Sequence, residues 1–451
     1  MSHRFLAILV LCVLLPAPLF GEGRPFTELE IQLPNYTGAH ARALGMGGAH
    51  IAVAEDASAL TWNPAGLVRV RRIELTATLT RAEREARATW MGEPDDWGGT
   101  ENQLGGLTFL YPYPTYRGSL VLAFGVDRLR NDYLRYRRSA VDDDFGFFEG
   151  NLARRTHTQL TDGKLSAYTA GVGWDMSPRF SMGVTLSYLR GSLYDEQRYI
   201  AEDVADRDPD VASIEDFFLL DSDISGWTGS AGVLYRASSR VRIGGVLGFP
   251  RWVTLDRYEM TRLYDVNDDG STSSTWEESF PPDEEFTYPW WFGLGASYAA
   301  RGVILAADVR YSDWKELKND VEGREVYRRP YYRSTTSYAV GAEFLVPWFP
   351  LRLRGGYRYE PVPFRLTYWP LSDNDIDESI VGRDPDEIDV AYDQERRVYA
   401  LGAGYLVGEQ LSVDLAWETG AYKRVIEGPD PDLYREERDS DQFLLTMGYR
   451  F

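Results

Sequence analysis

A chain of 451 residues with 44% hydrophobic and 14% aromatic residues has apolar material for a large folded body, which sets aside a disordered polymer. With 69 acidic against 48 basic side chains the formal net charge is -21, so the average surface would repel a nucleic-acid polyanion. Beyond Phe20 there is no apolar run of the roughly 18 residues a membrane helix needs, which excludes a helical bundle in the bilayer but not a β-barrel, whose lipid-facing and lumen-facing residues alternate and average out.

Met1 to Arg4 form a short basic start and Phe5 to Phe20 an apolar stretch, broken at Pro16-Ala17-Pro18 before polar Gly21-Glu22-Gly23. This pattern predicts a secretory signal peptide over residues 1–21, cleaved between Ala17 and Gly23, and therefore export. The single cysteine, Cys12, lies inside that segment behind Val10-Leu11, without the small residue that precedes a lipid-modified cysteine. The exported chain would then carry neither a disulfide nor a thiolate metal site.

Residues 22–71 have a different texture. Small residues dominate from Gly38 to Ala54, and Glu55 to Leu67 follows with two turn signals. Asp56 is placed to N-cap a short helix through Leu60, which must stop before Pro64 because the residue preceding a proline is pushed out of the α region. Asn63 then caps a new turn with Pro64 in its first position, ended by Gly66. Such a compact, kinked segment suits the filling of a lumen, so it is read as an N-terminal plug ahead of a barrel over 72–451.

From Ile73 onward the dominant period is two. Leu411, Val413, Leu415 and Trp417 alternate with Ser412, Asp414, Ala416 and Glu418, and Tyr399, Leu401, Ala403 and Tyr405 alternate with small residues. About fourteen such segments of roughly nine to eleven residues begin near Ile73, Gln103, Gly118, Lys164, Arg179, Gly226, Arg240, Pro289, Gly302, Thr336, Leu351, Arg397, Leu411 and Gln442. Short connections (such as Asp175 to Pro178 and Gly408 to Gln410) alternate with long acidic ones, and Trp174, Trp227, Trp290, Trp291, Trp348 and Trp417 sit at segment ends as interfacial girdles require. The last segment places Phe443, Leu445, Met447, Tyr449 and Phe451 on one face. A terminal Phe451 in that setting is similar to the signal read by the outer-membrane assembly machinery. The pattern predicts an all-β fold, a transmembrane antiparallel up-and-down barrel in the bacterial outer membrane, rather than a soluble sandwich of the same alternation.

Ala43-Leu44-Gly45-Met46-Gly47-Gly48-Ala49, Asp56-Ala57-Ser58 and Asn63-Pro64-Ala65-Gly66-Leu67, followed by a barrel of this size, resemble the FadL family of outer-membrane transport proteins (OmpP1/FadL/TodX-like). The resemblance implies a hatch inside the barrel with Asn63, Pro64 and Ala65 in it, and passive uptake of hydrophobic small molecules, long-chain fatty acids or hydrocarbons. It further implies a monomer partnered by outer-membrane lipid, lipopolysaccharide and its substrate. The same texture occurs in PorV-like barrels that act as shuttles or scaffolds in a protein secretion system, which is the alternative function.

Two other chemistries have candidate residues in the chain. Asp265, Asn267 and Asp269 before Gly270 present oxygens at the first, third and fifth positions of a calcium-type loop, although the twelfth position is Trp276 and an acidic residue comes only at Glu277. Calcium there is the one cofactor expectation, while the acidic stretch from Asp373 to Asp389 reads as an exposed loop. Outside the signal segment only His40, His50 and His157 are available, with no Gly-x-Ser-x-Gly elbow, so no enzyme is expected and His157 reads as a polar loop residue.

Overall fold

The computed structural model of the chain describes residues 40–90, 93–94, 97–142, 153–204, 211–321, 323–325, 333–361, 363, 395–426 and 434–451. The expected signal peptide, the first part of the plug (22–39) and the acidic stretch from Asp373 to Asp389 lie outside them.

The wall is one antiparallel sheet of fourteen strands. The first six are β1 (Glu74–Trp90), β2 (Trp97–Tyr113), β3 (Leu120–Asp142), β4 (Ala153–Ser177), β5 (Phe180–Asp203) and β6 (Val211–Arg236). Three strands follow in pieces: β7 as Val241–Gly248 and Arg251–Asn267, β8 as Glu284–Tyr288 and Trp291–Ala300, and β9 as Val303–Ser312 and Lys318–Val321. A hairpin arm, Thr272–Ser279, folds back on the upper part of β7. The wall is completed by β10 (Thr335–Leu345), β11 (Leu351–Pro361), β12 (Glu395–Val407), β13 (Leu411–Ile426) and β14 (Tyr434–Arg450). Pairing of β14 with β1, from Leu75 opposite Tyr449 onward, closes the barrel and removes the exposed edges an open sheet would leave.

Every anticipated strand is present, but many are longer than anticipated. The β4 strand begins at Ala153 rather than near Lys164, β6 at Val211 rather than Gly226, and β14 at Tyr434 rather than Gln442. The added portions rise above the membrane band, where neither face meets lipid and the apolar alternation that marks a strand is lost. Within the band the alternation holds: Tyr399 and Leu401 are more than half exposed on the outer face, while Val398 and Ala400 are buried inside. Trp227 consequently lies within β6 rather than at its end, opposite Trp252 of β7, and both indoles face outward.

Interruptions in β7, β8 and β9 fall side by side, at Phe249-Pro250, at Pro289-Trp290, and at a 3-10 turn, Trp314–Glu316. Proline lacks the N–H that a ladder needs, so a strand breaks there. The third break turns Trp314 and Leu317 into the interior.

The hatch fills the lumen with helix α1 (Ala41–Gly45), helix α2 (Ala59–Trp62) and a 3-10 turn (Pro64–Arg69). Helix α2 ends before Pro64 as anticipated but runs from Ala59 to Trp62, so its N-cap is Ser58 and not Asp56, whose carboxylate accepts from Ser58 N in the turn before it. Asn63 caps the next turn with Pro64 first, yet that turn continues past Gly66 to Arg69. Gly47 and Gly48, at φ 64° and 79°, supply the left-handed turn after α1, a conformation in which a Cβ would be strained.

Candidate functional site

The hatch is seated backbone to backbone on the wall. A Cβ added at Gly183, Gly232 or Gly356 would lie under 3.0 Å from Pro64, Asn63 or Gly47 respectively, so lumen-facing glycines make the space the hatch occupies. Wall side chains also bond hatch backbone. Asp308 of β9 accepts from His50 N (2.6 Å) and Ile51 N (2.8 Å), Thr446 of β14 accepts from Ala41 N (2.9 Å), and Arg358 of β11 donates to Gly47 O (3.2 Å).

A buried ion network ties the hatch to several strands at once. Arg42 of α1 meets Glu55 (3.1 Å), Asp56 (2.9 Å) and Glu343 of β10 (3.1 Å). Glu343 also receives Arg354 of β11 (2.8 Å), which reaches Asp414 of β13 (2.6 Å), and Arg242 of β7 meets Glu55 (3.1 Å). Burial alone would lower the Arg42 pKa, but Glu343, Glu55 and Asp56 more than offset it and hold the guanidinium well above its ordinary value. Burial would likewise raise Asp56, and Arg42, His50 and Ser58 together keep its carboxyl below the usual range.

The anticipated plug triplet is fully enclosed. Asn63 Nδ2 donates to Ile51 O (2.8 Å) and to Val233 O of β6 (3.2 Å), while its Oδ1 accepts from Ala65 N (3.1 Å). The side chain thus clamps two hatch segments to the wall, with Pro64 and Ala65 buried beside it. Of the histidines, His50 is buried and pushed down to about 3 by burial, so its ring is neutral. Its Nε2 meets Ser58 Oγ at 2.8 Å while the Ser58 hydroxyl donates to Asp56. Because serine gives its proton to the carboxylate and not to the imidazole, the trio orders the turn and does not form an activated nucleophile. His157 is not a loop residue: it lies on β4, buried and facing inward beside Tyr199 of β5, because β4 extends beyond the membrane band.

Above the hatch the lumen is apolar. Inward residues from β4 to β9 gather there, among them Leu165, Leu193, Phe218, Leu220, Ile224, Leu255, Phe286, Tyr288 and Trp314. The cavity among them is about 20 Å3, close to the roughly 10–15 Å3 that a single water needs, so the chamber is closed and a ligand would have to part these side chains.

Beside this chamber the wall is incompletely zipped. The β2–β3 ladder runs from Tyr113 opposite Leu120 to Gly106 opposite Asp127, and among the described residues it ends there. Both strands continue, β2 paired with β1 as far as Trp97 and β3 paired with β4 as far as Asp142. Two irregularities mark the parting: a register shift at Gly105 on β2 and another at Leu129 on β3, whose side chain packs against the apolar cluster. Eight register pairs above the short turn, at about 3.3 Å per residue and a tilt of about 40°, put the start of this slit roughly 20 Å up, inside the membrane band. Leu60 of α2 and Leu110, Val121 and Ala123 of the zipped portion pack together just below it. No sequence signal pointed to this slit, and only Asp127, a buried carboxylate taking Thr61 Oγ1 at 3.0 Å, stands out there in an apolar run.

On the opposite side of the hatch a polar vestibule of about 560 Å3 opens at the short-turn rim, lined by Arg42, Arg69, Arg352 and Arg450 among others. Phe451 sits at that rim, largely exposed, its N–H bonded to Ile73 O (2.9 Å). Asp265 and Asn267 lie at the end of β7 and Asp269 in the turn that leads into the hairpin arm, where Asp265 accepts from Ser273 (3.1 Å), Asn267 donates to Ser271 (2.8 Å) and Asp269 accepts from Ser271 N (2.8 Å). Their polar groups hold the turn, and among the described residues no group of three or more His, Cys, Asp or Glu is placed to hold a metal ion.

No protein-family sequence profile matches the chain, nor does any curated protein sequence. Solved structures do match. A Pseudomonas aeruginosa FadL homologue aligns over 92% of this chain and 99% of its own at 15% identity with a TM-score of 0.59. The P. putida toluene transporter TodX aligns over 93% and 99% at 14% identity with a TM-score of 0.58, and the Ralstonia pickettii toluene transporter TbuX over 92% and 99% at 12% identity with a TM-score of 0.57. Likeness at such identities establishes the fold.

Proposed function

We propose, from the premise that this chain has the barrel-and-hatch fold of FadL-type outer-membrane channels, that it admits hydrophobic small molecules passively and is a member of that family. The observation that carries the reading is the apolar chamber lying directly against an unzipped stretch of wall. A water-filled pore offers nothing to an apolar solute, whereas a dry cluster of leucine and aromatic side chains returns about 25 cal/mol for each Å2 of its apolar surface removed from water. The solute enters from the long-loop side, parts the closed chamber, and leaves sideways between β2 and β3 into the membrane. The hatch remains seated, so ions and polar solutes are excluded while cargo passes above it. No step consumes energy; the direction follows the concentration gradient.

Cells with and without the protein, given a radiolabelled aromatic hydrocarbon and a fluorescent long-chain fatty acid, provide the test. Faster uptake of either by the expressing cells supports the channel. Identical uptake across a panel of such compounds, with a protein-secretion defect in the deletion strain, would replace it with the secretion-scaffold function.

A further inference from the structure

The apolar chamber has a polar end whose atoms are not all used. Ser222 of β6 faces the lumen between Leu193 of β5 and Arg257 of β7, its register neighbours. It is 1% exposed and its hydroxyl has no hydrogen-bond partner. Arg257 gives Nη1 to Glu284 of β8 (3.1 Å), with Glu259 at 3.9 Å, and its Nε is buried without a partner. Ser222 and Arg257 both line the cavity with Leu165, Leu193, Ile224 and Leu255. Buried donors are ordinarily satisfied, and a pair left open at the edge of a hydrocarbon pocket is what an absent acceptor oxygen would complete.

The charge around this end decides which oxygen. Arg251 and Arg257 are the cations lining the cavity. Against them stand Glu284, Glu259 and, two register pairs above Ser222, the buried Asp195, which accepts from Gln159 and Gln197. Three carboxylates to two guanidiniums leave no positive charge for an ionised head group. A plain hydrocarbon, for its part, would leave both donors unpaired.

Resting on the uptake function proposed above, we infer that the chamber takes a hydrophobic molecule carrying one uncharged oxygen: an alcohol, ketone or phenol. Its oxygen accepts from Ser222 Oγ–H and Arg257 Nε–H, and its hydrocarbon body lies among Leu165, Leu193, Ile224 and Leu255.

Equilibrium binding of radiolabelled 1-decanol to the purified full-length barrel in detergent, competed with decane and with decanoate at pH 8, tests this. The expected order is decanol tightest, by about tenfold over each competitor, as one to two hydrogen bonds imply. Ser222→Ala should weaken decanol about five- to tenfold and leave decane unchanged; Arg257→Lys, which keeps a cation for Glu284 but removes the Nε donor, should act in the same direction. Heat-modifiable migration reports folding of both variants, and the ranking on the unaltered barrel decides the matter if either fails to fold. Equal binding of decane and decanol, or tightest binding of decanoate, overturns the neutral-oxygen assignment while leaving the uptake proposal intact. Binding of none of the three overturns both.

Discussion

Replacing Arg42 with Met should loosen the hatch. The methionine keeps much of the side-chain volume but removes the cation shared by Glu55, Asp56 and Glu343. Breaking a buried pair costs about 3–5 kcal/mol because a charge is left without a partner. Here Arg354 still serves Glu343 and Arg242 still serves Glu55, whereas the salt bridges of Asp56 are confined to Arg42 among the described residues. The low end therefore applies, about 3 kcal/mol, which multiplies the population of the unseated hatch by roughly 10^2. In a planar bilayer the unaltered barrel should be nearly silent despite its fourteen strands, and Arg42→Met should show frequent openings of a water-filled pore. Adding Asp56→Asn should partly restore silence, since the carboxylate left without a cation is then removed. A folded Arg42→Met barrel as silent as the parent would refute the idea that this network holds the hatch.

Acid should act on the same equilibrium. Seated His50 has a pKa of about 3, below the ordinary 6.5, so the released hatch binds the extra proton. Seating is at full strength above about pH 6.5 and weakens by about 1.4 kcal/mol per unit as pH falls toward 3, with Asp56, depressed in the seated state, adding a further loss below about pH 4. Openings should increase from pH 6.5 to 4.5, and His50→Gln should flatten that rise; a pH-independent parent barrel would contradict it. If Phe451 serves as an assembly signal, its deletion should reduce the heat-modifiable barrel recovered from the outer membrane, whereas normal yield would leave it a rim residue only. Calorimetric titration should detect no calcium binding at the hairpin turn up to millimolar concentration, because its polar groups already hold the turn; heat that is lost in Asp265→Ala with Asp269→Ala would establish a site.

The membrane half of each strand could be read from the sequence because lipid on one side and hatch or chamber on the other impose opposite chemistry on successive residues, as in Leu411 to Glu418. The upper halves could not. Around Thr156 to Thr161 both faces are polar or mixed, and strand persists because its neighbours pair with it, a non-local cause. The hatch announced itself through local chemistry, with proline and asparagine fixing a turn and paired glycines fixing another. Its seat did not: Gly183 and Gly356 look like ordinary small strand residues until the backbone they face is in place. The chamber residues were visible as apolar strand positions, but their convergence needs the register of six strands. The slit is the hardest case, since a ladder that ends leaves both strands extended and their periodicity intact.

If hydrophobic molecules pass through the chamber, and not merely through lipid disturbed by a barrel, the lining of the chamber sets their rate of entry. Uptake of a radiolabelled aromatic hydrocarbon should therefore be compared in cells making the parent protein, Phe286→Asn, and Leu401→Ala. Phe286 lies in the chamber, while Leu401 faces lipid on the outer wall and serves as the control. With equal amounts of folded barrel in the outer membrane, uptake should fall severalfold in Phe286→Asn and stay unchanged in Leu401→Ala. Equal uptake by all three would contradict passage through the chamber.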